Sequence, residues 1–259
     1  MSSAPRFFRR PSADGQGTMS LVEHLEELRD RLLKSLGAIG LGAVVGWFLY
    51  GAVLDLLLRP YCDYLQTVPE RLRPPQGCGL YFMSALDPML IKLKVVVAVG
   101  LFIALPVVLW QAWRFVVPGL TKRERRLAIP FVASSVLLFA LGAFVAYVTL
   151  PKGLSFLLGF AGPQFAPLLT GDRFLSFVLL VALAFGLAFE FPVILVFLQL
   201  LGFVSPAQLR SGRRSAILSV AVFSAVITPS SDPYTMLAMM VPMVLFYEGA
   251  IIIGRLMGR

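Results

Sequence analysis

Histidine, cysteine and charged side chains are all scarce in this sequence. Among its 259 residues there is one histidine, His24, and there are two cysteines. A metal or haem site built from several histidines is therefore excluded, and no HExxH motif is present. No P-loop, nucleophile elbow or GxGxxG context appears either, and the loops are too short for a soluble catalytic domain. We expect no cofactor and no enzymatic activity.

Charged residues make up 14% of the chain, whereas hydrophobic residues make up 58%. An average soluble domain has about 25% charged residues, so this composition cannot cover a water-facing surface. It excludes a soluble globular enzyme and also a disordered chain. The length suits about six to eight membrane helices of ~20 residues each.

Residues 1–19 are polar and basic. We interpret them as a flexible cytoplasmic tail, because no apolar segment follows their arginines at once, as it does in a cleavable signal peptide. Leucines then recur on one helical face, and this set is Leu21, Leu25, Leu28, Leu32 and Leu36. The resulting amphipathic helix is expected to lie along or toward the membrane surface and to continue into the first span.

Six apolar stretches predict six membrane spans. Each should be helical, because an open strand edge cannot be satisfied in lipid. They run roughly over Leu33–Leu54, Met89–Trp113, Leu127–Leu150, Phe174–Leu200, Ser215–Ile227 and Met236–Ile253. The sequence predicts an all-α, polytopic membrane protein with one six-helix domain over residues 20–259. Most of the 23 basic residues lie before the first span, after the second and fourth spans, or at the C-terminus. The positive-inside rule therefore places both termini in the cytoplasm.

The last two spans are predicted to be short. At ~1.5 Å per residue, Ser215–Ile227 is ~20 Å long and Met236–Ile253 is ~27 Å, against a hydrocarbon core of ~30 Å. Such mismatch is either a functional feature or ordinary mismatch that tilt or neighbouring helices relieve. Pro106, Pro192 and Pro242 are expected to kink their helices, and bent helices can form a concave wall.

Glu190 stands in a long apolar run, two residues before Pro192. An acid at membrane depth costs about 2.5–3.5 kcal/mol on insertion scales and is a functional candidate by default. Pro192 also leaves the carbonyl of Ala188 without its helical donor. We predict that Glu190 forms a polar spot inside a cavity. The alternative is a protonated carboxyl that bonds a freed backbone group or a neighbouring helix.

Glu27 and Glu124 are acids in basic surroundings. Carboxylates there suit a partner with guanidinium groups, since Arg–carboxylate pairs are bidentate and charge-assisted. The residues alone favour a simpler interpretation, in which Glu27 pairs with Arg31 at i,i+4 and Glu124 neutralises its own loop.

Three further residues lie in the predicted outer loops. Asp232 precedes a proline, which is ordinary turn chemistry. Cys62 and Cys78 share the first outer loop, in a compartment where disulfides persist. A bridge between them would close a loop of ~16 residues and contribute about 3 kcal/mol. The residues leave open whether the bridge forms.

Four segments have a recognisable order along the chain. They are His24 to Leu32 (HLEELRDRL), Phe115 to Leu120 (FVVPGL) followed by Glu124-Arg125-Arg126, Phe189 to Pro192 (FEFP), and Thr228-Pro229 leading to Asp232-Pro233. Together, on six spans, they resemble the TatC family, the multi-span component of the twin-arginine protein translocase. Pro60 and Pro106 fall where that family carries prolines.

The resemblance implies a glove-shaped bundle that binds signal peptides with paired arginines and helps to move folded proteins across the membrane, using the proton-motive force. The signal-peptide site that it implies consists of Glu27, Leu28, Arg29, Phe115, Leu120 and Glu124. The intramembrane polar or partner-contact positions that it implies are Glu190, Asp232, Pro60 and Pro192. The implied partners are TatA- and TatB-type single-span proteins, further copies of this chain and membrane lipid, with no nucleic acid.

A membrane-embedded enzyme such as a protease is one alternative function, and a proton-coupled small-solute transporter is the other. The transporter would use Glu190 and Asp232, and such transporters usually contain internal repeats. No clear repeat relates the two halves of this sequence.

Overall fold

The structure is a computed structural model that describes residues 21–70, 73–75, 77–116, 128–160, 169–229 and 232–256. This part of the chain contains eight helices, which are α1 (Leu21–Thr67), α2 (Asp87–Val116), α3 (Ala128–Gly159), α4 (Gly171–Ala188), α5 (Phe191–Leu200), α6 (Pro206–Ser211), α7 (Arg213–Ile227) and α8 (Pro233–Leu256). The prediction of an all-α protein is confirmed. Below, the side on which α1 begins and α8 ends is called the terminal side, and the opposite side is called the far side.

Five helical segments in the described ranges are long and apolar enough to cross a membrane. They are Val22–Thr67, Asp87–Phe115, Ala128–Gly159, Gly171–Leu200 and Pro233–Leu256. The predicted fifth span corresponds to α7, whose 15 residues measure about 22 Å and do not match a ~30 Å core. The prediction of a short fifth helix is therefore confirmed.

The predicted sixth span corresponds to α8, which is longer than the sequence predicted. Helix α8 has 24 residues, compared with the 18 assigned from Met236–Ile253. The boundaries differ because hydropathy marks only the apolar residues. Pro233 opens the helix in a position where its missing N–H costs nothing, and the last turn includes Arg255. Of the two spans predicted to be short, only the fifth, α7, is too short to cross the core.

Helix α1 also extends further than predicted. It does not end near Leu54 but continues through Pro60 to Thr67. A proline inside a helix leaves the carbonyl four residues earlier without its donor. Here that carbonyl belongs to Leu56, and it accepts a hydrogen bond of 3.1 Å from the hydroxyl of Tyr147 on α3. A neighbouring helix therefore supplies the bond that Pro60 removes.

Glycines allow the helices to pack closely in antiparallel pairs. A Cβ on Gly100 of α2 would lie 2.7 Å from the carbonyl oxygen of Ile39 on α1, and one on Gly42 would lie 2.6 Å from the carbonyl oxygen of Gly100. In the same way, a Cβ on Gly142 of α3 would lie 2.5 Å from the carbonyl oxygen of Phe185 on α4. These contacts require glycine, since real Cβ atoms do not approach backbone so closely.

The core lies between α3, α4 and α8 and is largely aromatic and aliphatic. Its most buried large side chains include Phe139, Phe185, Met239 and Ile251. One polar side chain joins it on the terminal side, where Gln199 of α5 is buried and donates to the carbonyl of Ala250 on α8 at 3.0 Å. This bond holds the last turn of α5 against α8.

Candidate functional site

The terminal side carries a charged pocket at the start of α1. Arg31 donates to Oε1 of Glu27 from Nε at 3.1 Å and also from its terminal guanidinium nitrogen. The side chains are 15% and 22% exposed, respectively. The i,i+4 pair expected from the sequence is confirmed. The second carboxylate oxygen, Oε2 of Glu27, is buried and has no hydrogen-bond partner among the residues that the structure describes.

A cavity of about 360 Å³ opens beside Glu27. It is polar, and four carboxylates and three cationic groups surround it. Its lining residues are Glu23, Glu26, Glu27, Asp30, Arg31, Lys34, Gln111 and Arg114. The carboxylates and cations of this pocket are already close together. A carboxylate can therefore leave its internal ion pair and pair with an incoming cation.

Three other predicted site residues lie on α1 and α2 near this pocket. The ring of Phe115 stacks on His24 with 4.3 Å between the centroids, which ties the end of α2 to the first turns of α1. Leu28 is exposed, and Arg29 is exposed beside Asp30. The structure thus places Phe115 with the α1 motif.

Two predicted site residues, Leu120 and Glu124, lie outside the described residues. The same is true of the tail at residues 1–19. Their predictions stay as predictions.

Glu190 lies at a break in the fourth span. Helix α4 ends at Ala188 and α5 begins at Phe191, with Pro192 in the first turn of α5. The amide of Glu190 donates to the carbonyl of Leu187 at 3.1 Å, so the chain tightens into a turn there. The kink predicted from Pro192 is confirmed.

The side chain of Glu190 lines a cavity of about 280 Å³ between α2, α3 and α5. It shares that cavity with Ser135 of α3. Its Oε1 is buried without a partner in the described part of the chain, and the same holds for Nε1 of Trp113 on the wall of the same cavity. The cavity therefore presents a carboxyl oxygen and an indole N–H. Sequence reasoning missed Trp113 and Ser135, because nothing local links them to Glu190.

Asp232 is fully buried immediately before α8. Its Oδ1 accepts from the amide of Thr235 at 2.8 Å, and its Oδ2 accepts from the hydroxyl of Thr235 at 2.5 Å. A Cβ on Gly153 of α3 would lie 3.2 Å from Oδ2. This geometry is that of a helix N-cap. The contact with a partner that the resemblance implied for Asp232 stays a prediction.

The loop after α1 brings Cys78 back to Cys62, which lies within α1 and not in the outer loop as the sequence predicted. The Cα atoms of Cys62 and Cys78 are 5.2 Å apart, within the usual disulfide range of about 4.4–6.8 Å. Arg73 donates to the carbonyls of Val68 at 2.8 Å and Gln66 at 3.1 Å, which satisfies acceptors at the end of α1. The geometry permits the disulfide, whose formation stays a prediction.

Two ion pairs between helices were not predicted. Lys94 of α2 pairs with Asp172 of α4 on the far side, and Arg213 of α7 pairs with Glu248 of α8 at 2.5 Å on the terminal side. Each joins residues distant in sequence, so no spacing rule could have indicated it.

The long apolar helices, the broken fourth span and the acid inside it define a multi-pass membrane protein with polar sites built into its bundle. The family model for the Sec-independent protein translocase protein (TatC) matches residues 23–242. The chain therefore belongs to the TatC family of protein translocase components.

Known members are similar over nearly the whole chain. A TatC protein from Frankia casuarinae is 44% identical over 97% of this chain and 70% of its own length. One from Aquifex aeolicus is 40% identical over 93% of this chain and 97% of its own. The crystal structure of a twin-arginine translocase receptor, TatC, superposes with a TM-score of 0.71 at 39% identity, over 92% of this chain and all of that one.

Proposed function

We propose that this chain is the signal-peptide receptor of a twin-arginine translocation system and that the charged pocket at Glu27 receives the arginine pair. The observation that carries the proposal is the buried Oε2 of Glu27, which has no partner among the described residues. A buried acceptor left without a hydrogen bond costs free energy, and an incoming guanidinium would satisfy it.

The pair with Arg31 supports this role. Because Arg31 occupies only Oε1, it holds the Glu27 side chain in one position while Oε2 remains available. A preorganised carboxylate loses less conformational entropy on binding than a mobile one. Glu124 is proposed as the second acid of the site, on the resemblance of its loop to the family pattern.

The remaining roles follow from family membership and from the cavity at Glu190. The chain works in the inner membrane with both termini in the cytoplasm, which makes the far side the outer side. TatA- and TatB-type single-span proteins and further copies of this chain are its partners. A partner helix contacts the Glu190 cavity at the break in the fourth span, and the proton-motive force drives transport.

The first experiment measures binding of a signal peptide to the purified full-length chain. Changing Glu27→Gln and Glu124→Gln together should weaken binding by about ten- to a hundredfold, since charged hydrogen bonds contribute ~1.5–3 kcal/mol. Glu248→Gln is the matched control, because it removes a paired carboxylate from the same side of the bundle. A peptide with Lys-Lys in place of Arg-Arg should bind the unaltered chain weakly. Undiminished, arginine-dependent binding by the double variant would refute the docking model.

The second experiment concerns Glu190. Glu190→Gln should reduce both export of a folded reporter and crosslinking to a TatA- or TatB-type partner. Leu187→Gln is the control, because it places the same amide on a lipid-exposed position one turn away. Unchanged export and crosslinking in Glu190→Gln would leave its carboxyl with a structural role only.

A further inference from the structure

A groove between α2 and α4 has one polar end and is otherwise apolar. Its volume is about 460 Å³. The polar end is formed by Lys94 of α2 and Ser176 of α4, and the rest is lined by Val97, Leu101, Phe102, Leu179, Leu180 and Leu183. This separation of polar and apolar walls is that of an amphiphile-binding site, since an amphiphile carries the same two parts.

The polar end lies at the level where α4 enters the bundle. Asp172 is in the first turn of α4 and pairs with Lys94. The first residue of α4 packs closely against α2 at this level, since a Cβ on Gly171 would lie 2.9 Å from the side chain of Ile91. The ion pair is also open to its surroundings, since the two side chains are 43% and 35% exposed. Because charges are costly in the hydrocarbon core, an exposed ion pair at the end of an apolar groove favours the headgroup level of a bilayer.

The apolar part of the groove has the length of one leaflet. Lys94 and Phe102 are eight residues apart on α2, which is about 12 Å, and Asp172 and Leu183 are eleven apart on α4, about 16 Å. Half of a ~30 Å hydrocarbon core is about 15 Å. A chain that enters at the ion pair would therefore end near the membrane centre.

The charge at the entrance favours an anion. A lysine ammonium has three N–H donors. Asp172 accepts one, and the hydroxyl of Ser176 accepts another at 3.0 Å. The third is left for a ligand. Arg173, which is exposed and follows Asp172 in the sequence, adds a second cation to the first turn of α4.

We propose that this groove binds one anionic phospholipid of the far-side leaflet, with its phosphate on Lys94 and an acyl chain along α2 and α4. The inference does not depend on the proposed signal-peptide site. The acyl chain exchanges the hydrocarbon of the bilayer for the apolar wall of the groove, so its burial adds little affinity. Retention of the lipid therefore depends on the contact between Lys94 and the phosphate. Replacing Lys94 should therefore remove most of the selectivity.

The experiment uses the full-length chain in nanodiscs containing equal amounts of phosphatidylglycerol and phosphatidylcholine, followed by native mass spectrometry. The unaltered chain should retain one phosphatidylglycerol in preference to phosphatidylcholine. Lys94→Gln should reduce that retention about tenfold, as expected for one lost charge-assisted hydrogen bond. Lys92→Gln is the matched control. It lies two residues away, but its ammonium lies 3.7 Å from the ring centroid of Trp47 on α1 and not in the groove.

A second variant separates lipid loss from misfolding. Leu180→Trp fills the groove from an exposed position and leaves the ion pair intact, so it should lose the lipid while the protein stays folded. Equal retention in Lys94→Gln, equal loss in Lys92→Gln, or no effect of Leu180→Trp would each overturn the proposal. A photocrosslinker at Leu180 that labelled a signal peptide and no lipid would overturn it as well.

Discussion

Asp232 provides a sharp test of whether a buried acid in this protein supports the fold or contacts a partner. Its carboxylate accepts two hydrogen bonds from Thr235, at 2.8 Å and 2.5 Å, and no part of the residue is exposed. Replacing an N-cap by alanine costs about 0.5–2 kcal/mol, and a hydrogen bond to a charged group contributes about 1.5–3 kcal/mol. We therefore expect Asp232→Ala to lower the free energy of unfolding by about 2–4 kcal/mol. Asp232→Asn keeps one acceptor and should cost less.

The assay is thermal unfolding of the purified protein in detergent. For a chain of this size 1 kcal/mol corresponds to about 2–4 °C, so a loss of ~3 kcal/mol lowers Tm by roughly 6–12 °C. Asp63→Ala, which removes an exposed acid from the same side of the bundle, should leave Tm unchanged. If Asp232→Ala abolished export while Tm stayed the same, the capping interpretation would be refuted and a direct functional contact would replace it.

Three further changes test the packing. Gly100→Ala should destabilise the α1–α2 pair by about 1–3 kcal/mol, because its Cβ would lie 2.7 Å from backbone atoms, and thermal unfolding measures this. Tyr147→Phe removes the donor to the carbonyl of Leu56 and should cost about 1–3 kcal/mol; faster amide exchange around that carbonyl, compared with the rest of α1, is the specific sign. Cys62 and Cys78 should resist thiol labelling until a reductant is added, and Cys62→Ser should lower stability by about 3 kcal/mol. Two freely labelled thiols in the untreated protein would contradict the disulfide.

Local features of the site were predictable from sequence because they act within one or two turns of helix. The pair between Glu27 and Arg31 follows from i,i+4 spacing on one helical face. The break at Glu190 follows from Pro192, which stands two residues later and has no backbone N–H to donate. The family motifs then predicted which of the few acids bind a ligand.

Contacts between helices were not predictable in this way. Trp113 and Ser135 share a cavity with Glu190 only because α2, α3 and α5 meet there. Lys94 and Asp172 are 78 residues apart in the chain, and their pairing lies at the polar end of the groove between α2 and α4. The periodicity of a helix says which face is apolar, and it does not say which neighbour that face meets.

The sequence alone therefore determined that this chain is a helical membrane protein of the TatC family, because scarce charge, long apolar runs and short motifs are local properties. The tertiary structure decided how the proline and the acids are accommodated. Pro60 is tolerated because Tyr147 reaches Leu56, and Asp232 is buried because it caps α8. Each of these depends on a polar group finding a partner, and in apolar surroundings that partner must come from the protein itself.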